Sequence, residues 1–152
     1  LAILTQAAQR EAIAVKTYTA AAGFLQTQSV IDTAVYYQSH HQEHLTLFNE
    51  LIIDLNGDPV LLDDALADSR INQATNEESA LRLAMTLELE AAQAYLDDAV
   101  INLTGNRAKL LMGRIYPVEL SHFVTLNAAL GVSPNITGAT FSEIYSEFNG
   151  IS

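Results

Sequence analysis

The sequence predicts an all-α protein, a four-helix bundle of two antiparallel hairpins joined by a long crossover, with a short C-terminal tail. Three observations carry that reading. Apolar residues recur at intervals of three and four along four long segments. The breaks between those segments are short, long and short, the order of a one-crossover bundle. No stretch alternates apolar and polar residues as a strand would. With 152 residues, 49% of them hydrophobic, the chain is sized for one core, and residues 1–152 are expected to form one domain.

The first helix is expected over about residues 2–27. Its stripe is Leu4, Ala7, Ala8, Ala14, Val15, Tyr18, Ala22 and Leu25, interrupted by Glu11. The second is expected over about 29–56 with Ser29 as cap, its stripe running Val30, Ala34, Tyr37, His41, His44, Phe48, Leu51 and Leu55. Asn56-Gly57-Asp58-Pro59 ends it, since Gly tolerates a left-handed cap and Pro cannot continue the ladder. The crossover has room for one short helix near Leu61–Ala67. Thr75-Asn76-Glu77-Glu78 reads as a capping box opening a third helix over about 76–103. After the turn Thr104-Gly105-Asn106, a fourth helix is expected over about 107–130, ending at Gly131 with Pro134 beyond, and Pro117 should kink it just before Glu119. The tail 131–152 has room for a short helix around Phe141–Phe148.

Composition narrows the chemistry. The absence of cysteine removes disulfides, thiolate metal sites and thiol catalysis, so any metal must be held by oxygen and nitrogen. A net charge of −11, from 18 acidic and 7 basic residues, repels phosphate backbones and anionic lipid, which argues against nucleic acid as a partner. No apolar run approaches the roughly 20 residues needed to span a bilayer. The chain starts at Leu1 without an initiator Met, which leaves room for an upstream tag, flexible start or export signal.

The chain also repeats itself. Adding 77 carries Leu4, Ala7, Glu11, Ala14, Tyr18 and Ala22 onto Leu81, Ala84, Glu88, Ala91, Tyr95 and Ala99, all identical. Adding 78 carries His44 onto His122, Phe48 onto Leu126, Asn49 onto Asn127 and Ile52 onto Leu130, while His41 falls on Glu119. The two hairpins should therefore meet at one level. Residues three apart share a helix face, so His41 with His44, and Glu119 with His122, can each aim two donor atoms at one point, with Glu11 and Glu88 completing the set.

Three carboxylates on apolar stripes are costly unless a cation compensates them, and no Lys or Arg lies on those stripes. Two divalent cations would bring four positive charges against three carboxylates, leaving about one for a bridging hydroxide, oxide or peroxide. A single Glu on an apolar face is more often snorkelling than ligating; six such residues on four helices favour metal over a hydrogen-bonded polar core. Tyr18 and Tyr95 read first as core aromatics, with a catalytic role as hydrogen-bond partners of the ligands or as transient radical carriers the competing assignment. His40 and Glu43 fall off the stripe and are expected at the surface. Glu90 is the weaker third-helix candidate beside Glu88, one register error away.

Glu on helix one, a histidine pair on helix two, Glu on helix three and Glu-x-x-His on helix four resemble the ferritin-like superfamily of rubrerythrins, bacterioferritins and manganese catalases. Within it, His40-His41-Gln42-Glu43-His44, Leu55-Asn56-Gly57-Asp58-Pro59-Val60 and Glu119-Leu120-Ser121-His122 are similar to the branch related to plant desiccation proteins. The similarity covers about residues 2–131. It implies a di-iron or di-manganese centre reacting with dioxygen or peroxide, held by Glu11, His41, His44, Glu88, Glu119 and His122, with zinc as a substitute metal. The sequence departs from that pattern at His41, where rubrerythrins and bacterioferritins carry a Glu that can bridge two metals; an imidazole binds one. The desiccation-related branch also implies export to the periplasm, with the cytoplasm the other location. Enzyme classes consistent with the resemblance are peroxidase, catalase and ferroxidase. The competing functions are a non-catalytic stress or desiccation protein with one structural ion or none, and iron storage in a cage of many subunits; a homodimer is the simplest assembly.

Overall fold

The computed structural model describes residues 1–131. Four long helices dominate it: α1 Ala2–Ala21, α2 Gln28–Asp54, α3 Glu77–Asp97 and α4 Asn106–Ala129. There is no strand among the described residues, and no helix there is long and apolar enough to cross a membrane. The expected helix near Phe141–Phe148 lies outside the described residues. α1 packs along α2 and α3 along α4. One buried cluster joins Leu4 and Ala7 of α1, Phe48 and Ile52 of α2, Tyr95 of α3 and Met112 of α4, while a second joins Ala21 of α1 with Ala80 of α3. The helices therefore run up, down, down and up, and residues 55–76 carry the chain back along the full length of the bundle.

Several helix ends differ from expectation, each for a local reason. α1 stops at Ala21, followed by a 3-10 turn Ala22–Phe24, instead of reaching residue 27. The Gln26 and Thr27 N–H groups donate to the Glu77 carboxylate of α3, at 2.6 and 2.7 Å, which takes them out of any helical ladder. Thr27, not Ser29, is the N-cap of α2, and its hydroxyl also donates to Glu77, at 2.7 Å.

At the far end of α2 the left-handed residue is Asn56, at φ 58°. Gly57 is needed for a different reason: a Cβ there would lie 2.7 Å from Leu1 Cδ1 and 3.0 Å from Ile52 Cγ2. The short helix expected near Leu61–Ala67 is a 3-10 turn, Leu62–Asp64, and a second 3-10 turn follows over Ser69–Gln73.

The capping box of α3 exists one residue later than read from sequence. Asn76 Oδ1 accepts from Ser79 N at 2.9 Å and Ser79 Oγ accepts from Asn76 N at 3.1 Å. Glu78 instead accepts from Arg82 one turn on. α3 gives way after Asp97 to a π turn over Asp98–Asn102 rather than continuing as α-helix to 103. Pro117 lies inside α4, which continues through it to Ala129.

Candidate metal centre

Each half of the sequence repeat delivers one helix hairpin to the middle of the bundle, and the charged residues of the stripes meet there. Glu11, His41, Glu88, Glu119 and His122 are each no more than 2% exposed, and His44 is 7% exposed. They form two overlapping groups of donors, Glu11, His41, His44, Glu119 and His41, Glu88, Glu119, His122, within each of which the donor atoms lie within 4.8 Å of one another. His41 and Glu119 belong to both groups. They are also the pair that the repeat aligns and the sequence exchanges.

The contacts are mostly between imidazole and carboxylate. His41 reaches in two directions, Nδ1 to Glu11 Oε2 at 2.8 Å and Nε2 to Glu88 Oε1 at 3.2 Å. His122 Nδ1 lies 3.1 Å from Glu88 Oε2 and 3.6 Å from Glu119 Oε2. His44 Nδ1 lies 2.9 Å from Glu119 Oε1, but not in line for a hydrogen bond: that nitrogen and both Glu119 oxygens are buried without hydrogen-bond partners. Uncommitted donor atoms that converge without bonding one another suit a cation placed between them, because orphaned buried polar atoms are otherwise costly.

The electrostatics follow from crowding. Burial pushes Glu11 and Glu88 up, but the neighbouring imidazoles outweigh it, so Glu11 is held below its usual range by His41 and His44, and Glu88 well below by His122 and His41. For Glu119 burial prevails and its carboxyl is raised. Burial works against the charged imidazoles as well, yet the carboxylates prevail: His41 and His122 are raised, and His44 is raised to about 9 by Glu11 and Glu119.

Two tyrosines brace the cluster across the repeat. Tyr18 of α1 donates to Glu88 of α3, and Tyr95 of α3 donates to Glu11 of α1. Each tyrosine thus holds the carboxylate of the opposite half rather than the one two turns away on its own helix. Burial, then the facing carboxylate, raises both phenols well above their usual value, which keeps them protonated as donors.

All six predicted residues come together, and Glu88 rather than Glu90 faces the cluster. Glu90 is exposed and accepts from Arg70, at 2.8 Å. Glu43 is exposed as expected. His40 is the correction: it is half-buried, and its Nδ1 lies 2.9 Å from His122 Nε2, which leaves His122 Nδ1 for the cluster. The signal was a concentration of rings at one level, for Tyr37 stacks on His122 at 3.8 Å and Tyr36 packs edge-on to His40 at 4.2 Å. The pair of Arg10 with Asp98 of the π turn, at 3.4 Å, was likewise invisible in the helical period.

The family described as Ferritin-like domain matches residues 1–132. The chain belongs to that family. Among solved structures, this ferritin-like chain is similar to a conserved hypothetical protein from Mycobacterium tuberculosis, with 16% identity and a TM-score of 0.73 over 84% of this chain and 94% of that one. At that identity the likeness shows the fold alone. No curated protein matches the chain.

Proposed function

We propose that Glu11, His41, His44, Glu88, Glu119 and His122 hold two transition-metal ions, iron or manganese, and that the protein is an oxidoreductase acting on dioxygen or peroxide. The observation that carries this is the overlap of two four-residue donor groups through His41 and Glu119. Glu119 has two uncommitted oxygens, one toward each group, and is the residue suited to link them. Iron or manganese there would supply Lewis acidity and one-electron chemistry. The oxygen and imidazole set does not by itself select between them.

The chain's own residues have distinct tasks. Tyr18 and Tyr95 fix the orientation of Glu88 and Glu11. His40 engages His122 Nε2 and so determines which nitrogen faces the centre. Leu4, Phe48 and Met112, each no more than 1% exposed, close one side of the site to water.

Elemental analysis of protein purified without added metal or chelator tests the proposal. About two Fe or Mn per chain is expected, lost in Glu88→Ala and kept in Glu90→Ala, with peroxide turnover abolished in Glu119→Ala. A metal-free or one-zinc protein, or full turnover in Glu119→Ala, would replace the proposal with a structural role.

A further inference from the structure

Among the described residues, the side of the bundle opposite Phe48 is not filled. Between α1, α3 and the crossover lies a cleft of about 230 Å³, and a second recess of about 150 Å³ lies among the four helices at the same end. Tyr18, Ala21, Ala80 and Ala84 line both. The larger cleft runs between Ala14, Ala84 and Ala91 and ends on Tyr18, Glu88 and Glu11 of the centre. The walls of the cleft are mostly apolar, with the charged residues at its mouth and floor, and apolar cavities of roughly 150 Å³ take up single aromatic rings. Apolar walls with a few polar groups converging at the floor are the usual form of a small-molecule site.

Charge at the mouth decides what kind of molecule fits. Arg70 is held by Asp68 at 2.9 Å and by Glu90 at 2.8 Å, and Arg10 faces Asp98 at 3.4 Å. At the floor, Glu11 and Glu88 already accept from His41 and the two tyrosines. Among the described residues, the two arginines at the mouth are matched by three carboxylates, so the mouth offers no net positive charge to a carboxylate or phosphate, and the acids at the floor already accept hydrogen bonds. Without metal, the cleft lacks charge complementarity to an ion and matches a neutral molecule.

We infer that this cleft binds a neutral, apolar organic molecule of about single-ring size, laid against Tyr18 and Glu88. That the occupant faces a metal centre rests on the function proposed above; that the cleft binds it does not. The binding is a property of the folded chain and survives chelation.

Calorimetric titration of toluene, with benzoate as the charged probe of equal size, tests this on protein both as purified and after chelation. Saturable toluene binding in both forms is expected, with benzoate at least tenfold weaker on the chelated protein and with nuclear Overhauser contacts from toluene to the Tyr18 ring. Ala84→Phe and Ala91→Leu should each weaken toluene at least tenfold while metal content stays at the wild-type value. Absence of toluene binding, equal binding of benzoate by the chelated protein, or contacts confined to another part of the surface would overturn the inference. Toluene binding by a protein that never holds metal would sink the proposed function and leave the cleft assignment standing.

Discussion

On one side of the centre the bundle is closed by Leu4, Phe48, Ile52 and Met112, each no more than 1% exposed. On the other side, among the described residues, the buried cluster is Ala21, Ile71 and Ala80, and two clefts remain. The sequence repeat relates these two ends, because α1 and α3 run in opposite directions. The register that carries His44 onto His122 also carries Phe48 of the closed end onto Leu126 of the open end, and Ala34 of the open end onto Met112 of the closed end. Both exchanges remove volume from the same end. Ala34 and Leu126 line the recess that results. The two halves thus agree on the residues that hold charge and differ on those that fill space, which separates a stabilising end from an accessible one within one symmetric frame.

The largest test of that asymmetry is truncation at the related positions. Phe48→Ala should cost about 3–5 kcal/mol, because no neighbour can move into the space left at a closed end. Leu126→Ala borders an existing recess and should cost less, about 2 kcal/mol, at the low end for a buried leucine. Urea midpoints of the two variants, taken at equal m-value, measure the difference. Equal losses would mean that the ends are packed alike.

How much of this was legible in the sequence depends on whether a residue answers to its own helix or to another. The stripe positions of Glu11, His41, His44, Glu88, Glu119 and His122 are fixed by helical period, so their convergence was readable once four helices were. Glu77 takes the N–H groups of Gln26 and Thr27 from 51 and 50 residues away, and no local rule contains that contact. His40 leaves the α2 stripe, so helical period alone places it at the surface, yet α4 supplies His122 against it. The cleft was hidden for a related reason: alanine is counted as apolar in a pattern, and a pattern does not report the volume that alanine fails to fill.

The centre joins the two ends, and without metal its ion pairs should make stability depend on pH. The His44 imidazole is raised to about 9, and His41 and His122 are raised too. A raised folded value gives stability that is fully present below the unfolded pKa of roughly 6.5 and is lost as pH rises through the folded value. Glu11 and Glu88 are depressed, so their contribution is present above the unfolded carboxylate range and lost as pH falls through their folded values. Glu119 is raised and opposes them. The chelated protein should therefore lose on the order of 2–3 kcal/mol between about pH 6.5 and 9, read from urea unfolding in that window. With metal bound the imidazoles are already deprotonated, and that loss should disappear. A chelated protein equally stable at both pH values would show that the histidines do not carry charge in the folded state.

The smallest effect is the most specific to the comparison, since it adds volume instead of removing it. Ala34→Met gives the open end the side chain that its repeat partner Met112 gives the closed end. Methionine is unbranched and adapts to irregular gaps, so it can occupy the recess beside Leu126 without forcing the backbone apart. Burying part of its thioether chain should raise stability by about 1 kcal/mol in urea unfolding, with metal content unchanged. A gain of that size would mean the open end gives up stability for its space, as expected of a surface kept clear for a ligand. A loss would mean that the recess is narrower than the volume of a methionine and that α2 and α4 already meet as closely there as Phe48 and Met112 do at the other end.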